Sequence, residues 1–362
     1  MKMIDLIAGA RPNFMKIAPI IDALKNAGII RYRLIHTGQH YDRNMSGSFF
    51  EELGIPEPDV NLQVGSGTQA EQTAGIMVGY EKVLLKERSD LCLVVGDVTS
   101  TMACAITAQK LCVPVAHVEG GIRSGDWTMP EEINRMATDA ITNLFFTTSE
   151  FANENLRQAG VGTDRIFFVG NTMIDTLLKQ LPRLKRPSVC DEAGLVSKQY
   201  LVLTLHRPAN VDDPEKLRGM LDAIMSGSRE DKVVWPVHPR TRKILAGLGN
   251  LAMERLILCD PLSYLEFNYL VRGARGVITD SGGITEETTV MGVPCMTLRD
   301  TTERPETVQM GTNELVGTDP AKLEPYLDRL FQGGWKNGNI PPFWDGKAAE
   351  RIVCVLDRYL NG

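Results

Sequence analysis

The sequence predicts an α/β protein of two domains, each built on a mostly parallel sheet. Short runs rich in Val, Ile and Leu recur along the chain without strict alternation, as in strands covered on both faces. Helical stretches separate most of these runs, and strand–helix alternation calls for parallel sheets. At 362 residues the chain is long for one core and comfortable for two.

The strand-like runs of the first half are 4–8, 32–37, 91–96, 113–118, 144–148 and 166–170. Those of the second half are 200–205, 232–237, 256–259, 276–279, 294–298 and 314–317. The helical stretch 15–26 ends at Gly28, a glycine suited to a C-cap. Apolar periodicity lapses at Leu181-Pro-Arg-Leu-Lys-Arg-Pro-Ser188 and again at 333–343, and a helical pattern resumes over 347–360. The expected division is residues 1–175, residues 176–345, and residues 346–362 as a terminal helix packing back on the domains.

Composition excludes several classes. The net charge is −6, the pI is near 5.5, and no long basic block appears, so nucleic-acid binding has no electrostatic footprint. No apolar run reaches the roughly 18 residues that would span a bilayer. Asp5 interrupts the first apolar run, which argues against a signal peptide. Seven cysteines are scattered with no Cys-x-x-Cys pair, a usage typical of buried free thiols in a reducing compartment. The expected location is the cytoplasm.

Three acidic residues stand out: Asp97 in Val95-Gly-Asp-Val-Thr-Ser100, Glu119 in His117-Val-Glu-Gly-Gly-Ile-Arg123, and Glu131 in Met129-Pro-Glu-Glu-Ile-Asn-Arg135. Two of them end buried strands, and the carboxyl ends of strands line the ligand crevice of an open α/β sheet. With Arg123 and Arg135 close in sequence, they read as acid–base machinery. Each has a rival reading. Asp97 would serve as the N-cap of the helix that follows. Glu131 would complete a capping box with Thr128 as N-cap and Pro130 in the first turn. Glu119, ahead of two glycines, has no capping role.

The histidines His36, His40, His117, His206 and His238 all fall at or just past predicted strand ends, which suggests a crevice that uses imidazoles. No His/Cys/Asp spacing matches a zinc pattern, so no metal is expected. The best anion site is Thr279-Asp-Ser-Gly-Gly-Ile-Thr-Glu-Glu287, where a strand ends, two glycines allow close backbone approach and a helix begins. Glu287, a turn further on, is placed to accept bonds from a ribose diol. An ordinary glycine-rich turn is the alternative. Ala8-Gly-Ala-Arg-Pro-Asn-Phe-Met-Lys16 is a second such turn, with Arg11 and Lys16 as phosphate cations. There is no Walker A sequence, and Gly65-Ser-Gly67 neither follows a strand nor completes a dinucleotide fingerprint, so no cofactor is expected.

In this order the motifs resemble the non-hydrolysing UDP-N-acetylglucosamine 2-epimerase family. The matching segments are Gly9-Ala-Arg-Pro12, Thr37-Gly-Gln-His40, Gly96-Asp97, His117 to Ser124, Pro130 to Arg135, Gly170-Asn-Thr172, Thr204-Leu-His-Arg207, Pro236-Val-His238, Asp280-Ser-Gly-Gly283 and Arg299 to Glu306. The resemblance implies two Rossmann-like domains facing a cleft, as in GT-B glycosyltransferases, and a homodimer. It implies loss and re-addition of UDP through a 2-acetamidoglucal, interconverting UDP-N-acetylglucosamine and UDP-N-acetylmannosamine. It assigns catalysis to Asp97, Glu119 and Glu131 with Lys16 and His206, and UDP binding to Arg11, Ser281, Gly282, Gly283 and Glu287. Arg135 and His238 join the substrate-binding candidates. Two carboxylates about 5 Å apart would repel by roughly 3 kcal/mol at an effective dielectric near 20, enough to keep one protonated beside an ionised neighbour.

The sequence also departs from the family. Asn13 replaces the usual Glu of the first turn, and His206-Arg-Pro-Ala-Asn210 loses an Arg and a Glu. An activator site for a second substrate molecule would fall on Gln39, His40 and Arg207. Asp42 and the altered 208–210 loop lead us to expect turnover without such an activator. The competing readings are a 2-epimerase of UDP-2,3-diacetamido-glucuronate, a hydrolysing epimerase, a UDP-dependent glycosyltransferase and a non-catalytic sensor of nucleotide sugars.

Overall fold

A computed structural model describes residues 1–38, 52–237, 239–247 and 254–362. Gln39, His40 and His238 lie outside the described residues, as does the side chain of Arg11. The chain divides into two compact units, Met1–Lys179 with Pro342–Gly362, and Gln180–Pro341. The helix Thr172–Gln180 carries the chain from the first unit to the second. The terminal helix belongs to the first unit.

Every run predicted as a strand forms one. In the first unit they are β1 (Met3–Ala8), β2 (Arg31–His36), β3 (Val60–Asn61), β4 (Leu91–Val95), β5 (Val115–Val118), β6 (Leu144–Thr147) and β7 (Ile166–Phe168). They make one sheet in the order β3-β2-β1-β4-β5-β6-β7, parallel throughout. β3 was not predicted: two half-buried residues at the sheet edge leave no apolar run to read. β4 is buried at every residue, as its unalternating sequence demands.

The second unit holds β8 (Tyr200–Thr204), β9 (Lys232–Pro236), β10 (Leu256–Cys259), β11 (Gly276–Thr279), β12 (Cys295–Thr297) and β13 (Asn313–Leu315). Their order is β10-β9-β8-β11-β12-β13, again all parallel. Alternate residues feed opposite faces. Leu201, Leu203, Val233 and Trp235 enter one core, and Tyr200, Val202 and Val234 the other.

The first helix spans Arg11–Ala27, starting four residues ahead of the predicted stretch because Pro12 is pre-organised for a first turn. Gly28 closes it in the left-handed conformation at φ +64°. The terminal helix, Ala348–Asn361, packs on it. Asp175 caps that terminal helix from a distance, accepting bonds from the amides of Ala348 (3.1 Å) and Ala349 (2.8 Å). Just before it, Trp344 is buried and donates through Nε1 to the Thr148 carbonyl at 2.9 Å.

At the opposite end of the first sheet, Asp5 is fully buried. Arg33 reaches it through Nε (2.8 Å) and Nη2 (3.0 Å), and the Tyr80 and Ser89 hydroxyls donate at 2.8 and 2.9 Å. Asp5→Ala, which leaves Arg33 only its Glu87 contacts and takes the shared acceptor from Tyr80 and Ser89, is expected to cost about 3 kcal/mol in urea unfolding. A loss under 1 kcal/mol would show the network to be idle. All seven cysteines are free, and Cys112 and Cys354 are exposed, so the expectation of buried thiols holds for only part of the set. Among the described residues no helix is long and apolar enough to cross a membrane.

Candidate active site

The chain leaves β1 for β2 on one side and returns to β4 on the other. The carboxyl ends of β1 and β4 therefore flank a topological switch point, where open sheets leave a crevice. Gly96 and Asp97 follow β4, Glu119 follows β5, and the helix after β1 carries Asn13 and Lys16. Gly96 adopts φ +67°, and a Cβ there would lie 3.1 Å from Lys16 Nζ, 3.6 Å from Asn13 Nδ2 and 4.0 Å from Glu119 Oε2. Three polar groups converge on that glycine.

Lys16 Nζ meets Glu119 Oε2 at 2.8 Å, and both side chains are largely buried. Glu119 itself sits at φ +72°, a left-handed conformation that a non-glycine residue adopts at a cost of about 1–3 kcal/mol. Its amide donates to the Phe146 carbonyl at 2.9 Å, so the strained turn is fastened to β6. Asn13 completes the floor. Its Oδ1 accepts from the Ala10 amide at 3.0 Å, and its Nδ2 donates to the Val95 carbonyl at 2.8 Å. A glutamate at position 13 could accept that first bond but has no proton for the second.

The rival readings of Asp97 and Glu131 both fail. The helix after β4, Thr99–Lys110, has Val98 as its N-cap residue, so Asp97 caps nothing. Asp97 Oδ2 instead meets Arg135 Nε at 3.0 Å, and Asn134 Nδ2 donates to the Asp97 carbonyl at 2.8 Å. The helix Pro130–Ile141 starts after Met129, and the Thr128 hydroxyl donates to Asp126 Oδ1 at 2.6 Å rather than capping. Glu131 stands half-buried in the first turn, three and four residues before Asn134 and Arg135, on the face that grips Asp97. Glu132, not singled out from the sequence, holds the preceding loop. It accepts from the Ser124 and Gly125 amides, each at 3.0 Å, and pairs with Arg135. Arg135 is thus buried between two protein carboxylates, and its observed contacts organise Asp97.

The expectation of a histidine-lined crevice holds for one of the three described imidazoles. His36 is buried, its Nδ1 accepting from the Gly38 amide at 2.7 Å. His117 is buried inside β5. His206 alone is exposed, and its Nδ1 lies 2.8 Å from Asp280 Oδ1.

That aspartate organises the second unit's turn. β8 and β11 flank this sheet's own switch point, with His206 beyond one and Asp280 beyond the other. Asp280 is fully buried and accepts from the amides of His206 (3.1 Å) and Arg207 (2.9 Å) and from Asn210 Nδ2 (3.1 Å). Burial pushes its carboxyl up, but His206 and these donors outweigh burial and hold it below the usual range. Arg207 also donates through Nε to the Asp280 carbonyl at 3.0 Å, so it belongs to this turn.

Ser281 is the N-cap residue of the helix Gly282–Met291 and makes no side-chain cap bond. The two glycines differ. A Cβ on Gly282 would come within 2.3 Å of Glu303 Oε1, whereas one on Gly283 would meet nothing within 4 Å. Glu287 is buried a turn further in. The Tyr264 hydroxyl donates to its Oε1 at 2.7 Å, with Asn268 Nδ2 at 3.5 Å. Burial raises its carboxyl to about 7, against the opposing bonds from Tyr264 and Asn268. Sequence reading missed Asp280, Asn210, Tyr264 and Asn268 as organisers. Asn210 and Asp280 stood inside quoted motifs, but Tyr264 and Asn268 carried no signal of their own. Among the described residues no group of His, Cys, Asp and Glu is arranged to hold a metal ion.

Two Rossmann-like units, with carboxylates at one switch point and a helix N-terminus at the other, define a GT-B-like α/β protein. A family model described as UDP-N-acetylglucosamine 2-epimerase matches residues 22–357. The chain belongs to this family, whose activity is that of an isomerase. It is 41% identical over 364 residues to the UDP-N-acetylglucosamine 2-epimerase of Methanocaldococcus jannaschii, covering 98% of each chain. It is 41% identical over 321 residues, 88% of each chain, to a UDP-2,3-diacetamido-2,3-dideoxy-D-glucuronate 2-epimerase of Pseudomonas aeruginosa. The crystal structure of the M. jannaschii enzyme in complex with UDP-GlcNAc and UDP superposes with a TM-score of 0.87 at 42% identity, covering 99% of this chain and 100% of that one. The S. aureus MnaA–UDP co-structure gives 0.89 at 30% identity, covering 100% and 97%.

Proposed function

We propose that the chain interconverts UDP-N-acetylglucosamine and UDP-N-acetylmannosamine without hydrolysis. The observation that carries this reading is the Lys16–Glu119 pair resting on Gly96, directly before Asp97 with its own cation, Arg135. The C2 proton of the sugar is not beside a carbonyl, so its removal must be coupled to departure of a leaving group. A carboxylate takes that proton while the C1–O bond breaks with its electrons going to UDP, leaving a C1=C2 double bond in 2-acetamidoglucal. A proton then reaches C2 from the other face, and UDP oxygen re-forms the bond to C1. Asp97, Glu119 and Glu131 supply the acid and base, assisted by Lys16 and His206. Ser281, Gly282, Gly283 and the helix N-terminus take the diphosphate, and Glu287 takes the ribose, with Arg11 and His238 as further substrate contacts and Arg135, buried between Asp97 and Glu132, acting through Asp97 rather than on the substrate.

In deuterium oxide the epimerised UDP-sugar is expected to carry deuterium at C2, with some UDP and 2-acetamidoglucal released on long incubation. A product retaining its original C2 hydrogen, with neither compound detectable, would overturn the mechanism. Free sugar accumulating in step with UDP would identify a hydrolysing enzyme, and a requirement for an acceptor a glycosyltransferase. Because the P. aeruginosa relative is equally identical, UDP-2,3-diacetamido-glucuronate is the comparison substrate. A higher kcat/KM on it would reassign the sugar.

Turnover proceeds without a second substrate molecule at Gln39, His40 and Arg207. Initial rates are therefore expected to be hyperbolic, and the reverse reaction to run from the manno epimer alone. Sigmoidal rates would refute this. The family resemblance further supports a cytoplasmic homodimer, which light scattering would test as to mass.

A further inference from the structure

Inside β5, His117 is fully buried and touches two oxygens. Its Nε2 lies 2.8 Å from the Gly96 carbonyl and its Nδ1 lies 2.7 Å from Asp139 Oδ1. A carbonyl oxygen only accepts, and so does a carboxylate. The second oxygen of Asp139 is occupied by the Gly121 amide at 3.0 Å and Arg123 Nη1 at 2.6 Å. Asp139 thus already accepts from two N–H donors besides His117. Both ring nitrogens therefore face acceptors, and both contacts are hydrogen bonds only when the ring carries two protons.

Gly96 is gripped on both sides by β5. Its amide donates to the Val118 carbonyl at 3.0 Å, and its carbonyl receives His117. Asp97 follows Gly96, and Glu119 follows Val118. The same clamp therefore sets the backbone separation of the two carboxylates. The adjoining glycines keep it open. A Cβ on Gly120 would lie 3.5 Å from His117 Nδ1 and 2.9 Å from Phe145 Cδ1, and Gly121, at φ +82°, turns its amide onto Asp139.

We propose that His117 is a positioning residue, a doubly donating strut between Asp139 and the Gly96 carbonyl that fixes the spacing of Asp97 and Glu119. Its kinetic consequence rests on the epimerase reading above, whereas its protonation does not.

The test has two arms. In ligand-free enzyme labelled with ¹⁵N-histidine, the slowly exchanging, buried ring bonded to Asp139 is expected to show protons on both nitrogens at pH 7.5. A singly protonated ring there would overturn the strut. For the kinetic arm, two amide variants separate the bonds. His117→Gln can place its amide near the Nε2 position and keep the Gly96 bond. His117→Asn can place its amide near Nδ1 and keep only the Asp139 bond. His117→Asn is expected to lower kcat by about 10- to 100-fold, the scale on which misplacement by an ångström acts, with KM within about threefold. His117→Gln should recover most of that loss. Equal kcat in the two folded variants would reduce His117 to a core residue. A failed deuterium test with the doubly protonated ring intact would remove the epimerase reading alone.

Discussion

Glu119→Gln is expected to lower turnover by at least about 10²-fold, the low end for an acid–base group, with UDP still bound. The amide cannot take a proton, and it replaces the anion 2.8 Å from the mostly buried Lys16 ammonium by a neutral acceptor. Two effects coincide there, so the loss should exceed that of Asp97→Asn, whose carboxylate is about one-third exposed and whose partner Arg135 keeps Glu132. Glu131→Gln should also reach about 10²-fold. Because Glu131 completes no capping box, its stability should stay within about 0.5 kcal/mol of the parent. Initial rates paired with thermal melts decide the matter. Near-native rates in all three folded variants would sink the assignment.

A second large effect is tied to pH. The Glu287 carboxyl is raised from 4.5 to about 7 by burial. Its folded value lies above its unfolded one, so the native state holds the proton more tightly. Stability is therefore fullest below about 4.5 and falls as pH rises through about 7, by about 3 kcal/mol at 1.36 kcal/mol per unit. Glu287→Gln removes that titration. Measured by urea unfolding between pH 5 and 8, the variant should gain on the parent by about that amount as pH rises. A constant difference would show that Glu287 titrates normally. At pH 8 the same variant should weaken UDP by roughly 1.5–3 kcal/mol if the carboxylate accepts a ribose hydroxyl. Unchanged affinity would confine Glu287 to its bond with Tyr264.

The strands were legible because burial on both faces leaves an unbroken apolar run, and β4 is the clearest case. β3 was not, since a two-residue edge pairing needs no hydrophobic signature. Glu119 was readable because two glycines after a strand end have few structural uses, and its left-handed backbone shows why the turn is unusual. Asp97 and Glu131 stayed ambiguous because helix starts and acid–base sites use the same residue types. The positions of Val98 and Met129 as N-cap residues remove the capping readings alone. His117 misled because a strand-end histidine looks alike whether it faces a crevice or a neighbouring carbonyl. Asp139, Tyr264 and Asn268 were invisible for a related reason: each acts through a partner many residues away, and spacing along the chain carries no trace of such bonds.

The terminal helix and Trp344 close a unit whose remainder ends at Lys179, so residues 180–341 interrupt it. During synthesis the interrupting unit emerges whole before the last segment of the first exists. Until then, Asp175 lacks the Ala348 and Ala349 amides, the Thr148 carbonyl lacks Trp344, and the face of the Arg11–Ala27 helix that receives the terminal helix stays wet. The unit that carries Asp97 and Glu119 is thus the later of the two to be completed, although its sequence comes first. A nascent chain stalled short of Pro342 would present a finished second unit tethered to an unfinished first, and such a species is the natural client of a chaperone.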